Sequence, residues 1–203
     1  MRSGHRLFTA FYERMSQKAE RAGGAVRRAR LVGDLRGTVL EIGAGNGLNL
    51  AYYRDVDRLV AVEPDRFMLK HLRRRADRVT YPMDIVEQDA DSLPYPDATF
   101  DAAVTSLVLC SVPDQSRTLA EIRRVLKPGA ELRFMEHVRA EWLGGRILDA
   151  IAPVWSLAGG GCHPNRRTEA AIRDADFDIR AIERYVEGSL PHIQGVAVRT
   201  EDA

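Results

Sequence analysis

Three closely spaced glycines give residues 43–47 the pattern of a ligand-binding loop. In "VLEIGAGNGLN" they directly follow a short run of β-forming residues. Glycine allows a tight turn and a close approach of the backbone to a ligand, and a helix starting at Leu48 would present free N–H groups. The third glycine of the dinucleotide fingerprint G-x-G-x-x-G would fall on Leu48. The loop therefore favours a ligand without a pyrophosphate.

Acidic residues end the predicted strands at the same edge of the fold. Glu63 lies twenty residues after Gly43, where a carboxylate typically accepts hydrogen bonds from ribose hydroxyls. Asp89 closes the third predicted strand, so its carboxylate or the Ala90 backbone could meet the edge of an adenine. Together with Glu41 these acids predict a negative rim. Such a rim suits a ligand with a sulfonium and an α-amino group better than one with phosphates.

A second set of reactive side chains follows the fourth and fifth predicted strands. Cys110 and Ser111 come after the fourth strand, and Glu136 and His137 end the fifth. We predict His137 as a base, or as a cation that favours a thiolate. A structural histidine held by a backbone carbonyl is the alternative. Cys110 is a second catalytic candidate, although a buried cysteine often serves only as a small apolar side chain.

Metal ligation is weakly indicated by the spacing of the cysteines and histidines. Cys110, His137, Cys162 and His163 are the available ligands, but no pair has a spacing such as C-x-x-C. Adjacent Cys162 and His163 cannot easily hold one ion. We therefore expect no metal site.

The segment "AGGGCHPNRRT", residues 158–168, is predicted to be a glycine-hinged lid on the acceptor side. Cys162 and His163 would stand at its tip and face either solvent or substrate. The N-terminal helix could supply a second wall through its apolar stripe, or the stripe could simply pack on the domain. Tyr12 is our candidate contact within that stripe, which comprises Leu7, Phe8, Phe11, Tyr12 and Met15. The arginines of the following basic helix are expected to be a solvated face.

Alternating strands and helices from residue 38 predict a doubly wound α/β fold with a parallel sheet covered on both faces. We expect a single domain, 1–203, with a helical cap (1–36), a cofactor-binding core (37–137) and an acceptor-side part (138–203). A net charge of +1 gives no reason to expect nucleic acid as a partner. Two cysteines and the lack of a long apolar run predict a cytoplasmic protein with reduced thiols.

Four stretches of the core carry a family resemblance. "VLEIGAGNG", "AVEP", "QDADSLPYPDATFD" and "VLKPGAELRFMEH" resemble, in order and spacing, the motifs of class I S-adenosylmethionine-dependent methyltransferases over residues 38–137. The resemblance implies a Rossmann-like seven-stranded sheet with an antiparallel last strand, S-adenosylmethionine as cofactor and S-adenosylhomocysteine as product. It implies glycines 43, 45 and 47 around the methionine part, Glu63 on the ribose and Asp89 with Ala90 by the adenine. The full predicted cofactor set is Glu41, Gly43, Ala44, Gly45, Gly47, Asn49, Glu63, Pro64, Asp89 and Ala90.

The C-terminal half is similar to a narrower group. "SLVLCSVPD", "EHVRA", "APVW", "GGGCHPNRRT" and "AIRDADF" resemble the small methyltransferase-like thiol S-methyltransferases, whose homologues often carry quinone-type or phospholipid methyltransferase labels. The resemblance implies a small, largely apolar acceptor, with a thiol, a quinone-type ring or a phospholipid as candidates. A non-catalytic cofactor-binding protein is the alternative of another class. Animal members carry an N-terminal membrane anchor that this sequence does not show, so we expect no stable membrane anchor.

Overall fold

Seven strands form one sheet in the computed structural model, which describes residues 6–201. The strands are β1 (Arg36–Ile42), β2 (Asp55–Val62), β3 (Met83–Val86), β4 (Phe100–Ser106), β5 (Leu126–His137), β6 (Phe177–Glu187) and β7 (Leu190–Arg199). Their order is β3-β2-β1-β4-β5-β7-β6. Neighbours from β3 to β5 pair in parallel, whereas β7 is antiparallel to both β5 and β6. The predicted sheet, including its antiparallel last strand, is confirmed.

The helices cover both faces of this sheet. They are α1 (Arg6–Ala19), α2 (Ala25–Val32), α3 (Arg66–Ala76), α4 (Gln115–Val125), α5 (Trp142–Ala158) and α6 (Thr168–Asp174). Asp65 begins α3 by accepting the N–H groups of Phe67 and Met68, and Asp114 begins α4 by accepting that of Arg117. Within residues 6–201 no helix is both long and apolar enough to cross a membrane.

Strand β1 shows how the sequence divides the core. Leu40 and Ile42 join a cluster with α4 and α6, while Val39 joins the cluster on the other face with α2 and α3. Successive side chains of a strand point to opposite faces, so a strand buried on both sides needs a continuous apolar run. The chain leaves β1 toward β2 on one side and returns through β4 on the other. The carboxyl ends of β1 and β4 are therefore the switch point at which ligands of such sheets bind.

Two predictions at this edge need correction. The helix expected from Leu48 is only one short 3-10 turn, Leu48–Ala51. Strand β3 ends at Val86, so Asp89 lies in the loop beyond it and does not close the strand. Leu7 and Phe8, two residues of the predicted apolar stripe, lie outside the residues whose side chains are described.

Candidate functional site

A cavity of about 500 Å³ opens at the carboxyl ends of β1, β2, β4 and β5. This volume lies within the range of about 300–1,000 Å³ that is typical of small-molecule sites. Most of the predicted site residues line it: Tyr12, Gly43, Gly45, Glu63, Pro64, Asp89, Ala90, Cys110, His137 and Cys162. The predicted residues Glu41, Ala44, Gly47, Asn49 and His163 are not among its lining.

Glu63 is a buried carboxylate on the cavity wall. One of its oxygens accepts the Gly45 N–H and the other accepts the Asp65 N–H, both at 2.8 Å. Each carboxylate oxygen can accept a further hydrogen bond, so Glu63 could still bind two hydroxyl groups of a ligand. Burial raises its pKa to about 7, against the lowering effect of the two amides. The side chain therefore changes charge near neutral pH.

The glycine loop lies close to the segment after β4. Gly43 has a φ of +60°, and a Cβ atom there would lie 2.6 Å from Cγ2 of Val108. Gly45 also has a positive φ, of +58°. The loop thus packs too tightly at Gly43 for a side chain and leaves backbone facing the cavity. Together with the Glu63 carboxylate, this surface offers backbone groups and hydrogen-bond acceptors to a ligand in the cavity.

Glu41 is hydrogen-bonded to residues that follow the glycine loop and does not line the cavity. The acidic rim predicted from the sequence therefore does not include Glu41. Its carboxylate accepts Asn49 Nδ2 at 2.8 Å and the Tyr53 hydroxyl at 3.0 Å. Burial raises the Glu41 pKa to about 7, although both hydrogen bonds and the nearby Arg28 lower it. Gly47, which also lies outside the cavity lining, has a φ of +83° and packs closely against Leu72, since a Cβ atom there would lie 2.8 Å from a methyl carbon of that side chain.

Arg28 of α2 joins the N-terminal cap to this network, and sequence reasoning missed it. Its Nη1 donates to Asn49 Oδ1 at 2.7 Å and to Ser106 Oγ at 3.1 Å, while its Nε donates to Glu20 at 3.0 Å. Arg28 is only 9% exposed, so the expectation of a solvated arginine face is wrong for it. A run of arginines on a short helix carries no local signal of which one turns inward.

Helix α1 is held over the cavity by Glu13. This carboxylate accepts Asn46 Nδ2 of the glycine loop and Arg75 Nη2 of α3, each at 2.6 Å. The anchored helix brings Tyr12 onto the cavity wall beside Phe11 and Met15. The N-terminal cap therefore forms part of the site.

A cluster of two sulfurs and an imidazole lines another part of the cavity. Cys110 follows β4, His137 ends β5, and Cys162 lies in the loop after α5. The two Sγ atoms are 3.6 Å apart, and His137 Nδ1 lies 3.6 Å from Cys110 Sγ and 3.4 Å from Cys162 Sγ. The structure thus brings the two catalytic candidates together with a residue predicted for the lid. Of the two orientations expected for Cys162, it takes the inward one.

The three groups of the cluster shift one another's pKa values. A hydrogen bond to Cys162, together with burial, raises the pKa of Cys110 well above its usual value. The same hydrogen bond lowers the pKa of Cys162 despite its burial. Burial lowers the pKa of His137, but the hydrogen bond to Cys110 and nearby negative charges outweigh it, so the net shift is upward. Within the cluster, Cys162 therefore loses its proton more readily than Cys110.

The segment that carries Cys110 is fixed by buried polar groups. The Glu136 carboxylate accepts the Val108 N–H at 3.1 Å and the Cys110 N–H at 3.3 Å. The Cys110 carbonyl accepts the His163 N–H at 2.7 Å, which ties the glycine-rich loop to it. Arg166 donates to the Leu109 carbonyl at 2.6 Å. Glu136, a sequence candidate for catalysis, thus positions Cys110, and Arg166 is a support that the sequence did not single out.

Apolar side chains form the mouth of the cavity. Phe11 is 60% exposed, Met15 50% and Trp155 40%, and all three line the cavity. Exposed aromatic and thioether groups at the rim of a pocket favour an apolar ligand. Trp155 comes from α5, and Phe11 and Met15 come from α1.

Comparisons with known proteins agree with this geometry. A family described as "Methyltransferase domain" matches residues 40–134. The human thiol S-methyltransferase TMT1A is 32% identical over 176 residues, which cover 80% of this chain and 70% of that protein. The rat thiol S-methyltransferase TMT1B is 33% identical over 184 residues, with 82% and 74% covered. The N-methyltransferase NodS from Bradyrhizobium japonicum, solved in complex with S-adenosyl-L-homocysteine, superposes with a TM-score of 0.65 at 15% identity. That match covers 81% of this chain and 79% of NodS.

Proposed function

This chain belongs to the family of S-adenosylmethionine-dependent methyltransferases that includes TMT1A and TMT1B, and we propose that it methylates a small, largely apolar thiol. The relatives at 32–33% identity are thiol S-methyltransferases. The observation that carries the proposal is the Cys110–His137–Cys162 cluster, which lines the same cavity as Glu63. Such a cluster suits the handling of a sulfur nucleophile.

We assign the Glu63 end of the cavity to the cofactor, which when bound supplies an electrophilic methyl group on a sulfonium. Glu63 would accept the ribose hydroxyls, and the loop with Asp89 and Ala90 would lie by the adenine. The Gly43–Gly45 backbone would face the methionine part. Glu63 follows β2 and His137 ends β5, three strands away, which is about 14 Å at 4.8 Å per strand. This separation leaves room for the adenosyl group before the sulfur cluster begins.

The remaining part of the cavity would hold the acceptor. Tyr12, Phe11, Met15 and Trp155 offer apolar surface to an alkyl or aryl group, and the sulfur cluster faces the reacting end. Holding a nucleophile in line with the methyl group can contribute about 7–11 kcal/mol to lowering the barrier. A thiol, with an ordinary pKa of about 8.5, needs less help to ionise than an alcohol. This difference favours a thiol over an oxygen acceptor.

A labelled-methyl assay tests the proposal. Alkyl and aryl thiols, quinols, phospholipids and tRNA would each be offered at equal concentration, with the matching alcohol of each thiol as control. We expect label in the thiols and none in the alcohols. Methylation of quinols or phospholipids alone would favour those acceptors, and label in tRNA alone would refute a small-molecule acceptor. Cofactor binding without methylation of any acceptor would indicate a non-catalytic protein.

A further inference from the structure

We propose that Cys110, His137 and Cys162 bind a Zn²⁺ ion whose fourth coordination position opens into the cavity and takes the sulfur of the acceptor thiol. The three ligands come from three separate segments, which follow β4, end β5 and follow α5. Cys110 and His137 are 27 residues apart, His137 and Cys162 are 25 apart, and the two cysteines are 52 apart, so no local motif reveals the three ligands. The expectation of no metal site rested on the spacing of these residues along the chain, and that spacing does not show that folding brings three of them together.

The distances within the cluster match those around a tetrahedral zinc ion. With Zn–S near 2.3 Å and Zn–N near 2.05 Å, tetrahedral angles place two sulfurs about 3.8 Å apart and a sulfur and a nitrogen about 3.6 Å apart. The corresponding distances in this cluster are 3.6 Å between the sulfurs and 3.6 and 3.4 Å from His137 Nδ1 to each sulfur. All three distances therefore lie within about 0.2 Å of those expected around a single shared ion.

The chemistry of the ligand set selects zinc. Thiolate sulfurs favour soft or borderline ions, and imidazole is compatible with zinc. Two cysteines and one histidine with an open fourth position form a ligand set that catalytic zinc sites use. Both cysteines are buried, and all three side chains line the cavity, so the fourth position of the ion would open into the cavity.

The surroundings hold the ligands in place. Glu136 and His163 fix the backbone of Cys110 through its N–H and its carbonyl. The His137 ring packs against the His192 ring, with centroids 4.4 Å apart, and these residues are paired between β5 and β7. Ligands that are oriented before the metal arrives bind it with a smaller entropic cost.

The role of the ion in the reaction rests on the proposed function. The acceptor thiol would lose its proton to solvent as its sulfur binds the ion. An electron pair of that sulfur then forms the bond to the methyl carbon while the bond from methyl to the cofactor's sulfonium breaks, leaving a neutral thioether in S-adenosylhomocysteine. The acceptor also becomes a neutral thioether, a weaker ligand than the thiolate, and so it can leave.

Metal content tests the site itself. Protein purified under reducing conditions and dialysed against metal-free buffer should carry about one zinc per chain by elemental mass spectrometry. Cys110→Ser and Cys162→Ala should lose most of it. His163→Ala, which removes the imidazole next to Cys162, should retain it because His163 does not line the cavity. Zinc in the wild type that both cysteine variants keep would overturn the proposal, as would a wild type that stays metal-free when offered zinc.

A spectroscopic readout separates the site from the activity and does not depend on variants that fold poorly. The wild type loaded with Co²⁺ should show thiolate-to-metal charge-transfer bands and the intense visible bands of tetrahedral cobalt. An alkyl thiol should change these bands, whereas the matching alcohol should not. Cobalt bands that are insensitive to the thiol would overturn its binding to the metal. A Cys110–Cys162 disulfide in freshly purified protein that takes up no Co²⁺ after reduction would overturn the metal site.

Activity then distinguishes the two proposals. Removal of zinc by a chelator should lower thiol methylation at least a hundredfold, restored by Zn²⁺, with cofactor affinity changed less than threefold. Full thiol methylation by metal-free protein would overturn the zinc proposal and leave the proposed function standing. A metal site that binds thiols without methylation would support the site and count against the proposed function.

Discussion

Replacing Glu63 by Gln should weaken cofactor binding, and replacing Glu41 by Gln should not. The two carboxylates form a matched pair, because both are buried and burial raises the pKa of each to about 7. Only Glu63 lines the cavity. A charge-assisted hydrogen bond contributes about 1.5–3 kcal/mol, so Glu63→Gln should raise the Kd for S-adenosylmethionine about 10- to 150-fold at pH 8.

The pH dependence of binding supplies a second measure of the same effect. With a pKa near 7, Glu63 is about nine-tenths ionised at pH 8 and about one-tenth ionised at pH 6, so the wild-type Kd should rise about tenfold over that interval as pH falls. In Glu63→Gln this rise should vanish, while in Glu41→Gln it should persist. Isothermal titration calorimetry from pH 6 to 8 measures all three proteins.

The same two substitutions should change the pH dependence of stability alike. A carboxyl whose folded pKa rises from 4.5 to about 7 contributes stability that is fully present below pH 4.5 and is lost as pH rises through 7. The shift of about 2.5 units corresponds to about 3 kcal/mol for each group. Relative to the wild type, each variant should therefore gain unfolding free energy between pH 5 and pH 8, measured by urea denaturation.

Two results would refute this reasoning. A Kd that is unchanged in Glu63→Gln would mean that the carboxylate does not contact the cofactor. An equal loss of affinity in Glu41→Gln would mean that both residues act through the shape of the loop and not through a direct contact. Equal changes in stability with unequal changes in affinity are the expected pattern.

Three further substitutions test the packing of the site. Gly43→Ala should destabilise the fold by about 2–4 kcal/mol in urea unfolding, because it adds a clash with Val108 to a positive φ. Gly129→Ala, the control, has a φ of +75° and open space around it and should cost only about 1–2 kcal/mol, so equal losses would contradict the clash. Arg28→Met should lower unfolding stability by about 3–5 kcal/mol, since it leaves a buried network without its cation, and an effect below 1 kcal/mol would contradict that role. Trp155→Ala should raise the KM for aryl thiols about fivefold, because the lost ring contact removes about 1 kcal/mol of binding free energy, and it should change the cofactor Kd little. An unchanged KM would mean that the acceptor binds elsewhere.

Local patterns along the chain were sufficient to predict the sheet and the place of Glu63 at its carboxyl edge. The apolar runs of β1 and β2 and the glycines between them define a strand, a turn and the next strand, and these depend on neighbours in sequence. Parallel strands end at one edge, so the position of Glu63 followed from its place at the end of β2. The alternation of strands and helices also predicted the parallel sheet whose carboxyl edge carries the cavity.

Side-chain direction at that edge could not be predicted in the same way. Glu41 and Glu63 both come near the ends of strands, yet one turns beneath the loop to meet Asn49 and the other faces the cavity. The choice depends on which partners the packed loop presents to each carboxylate, and a buried carboxylate takes the orientation in which it finds hydrogen bonds. Arg28 turns inward for the same reason.

The sequence by itself determined the individual strands and helices, the glycine loop and the family of the chain, because each of these is encoded in residues that lie close together along the chain. Only the tertiary structure decided that Cys162 joins Cys110 and His137. Strands β4 and β5 are neighbours, so Cys110 and His137, which lie near their carboxyl ends, could be expected near each other. Cys162, in contrast, lies in the loop after α5. Its position is set by long-range contacts such as the hydrogen bond from the His163 N–H to the Cys110 carbonyl, and contacts of that kind exist only once the chain has folded.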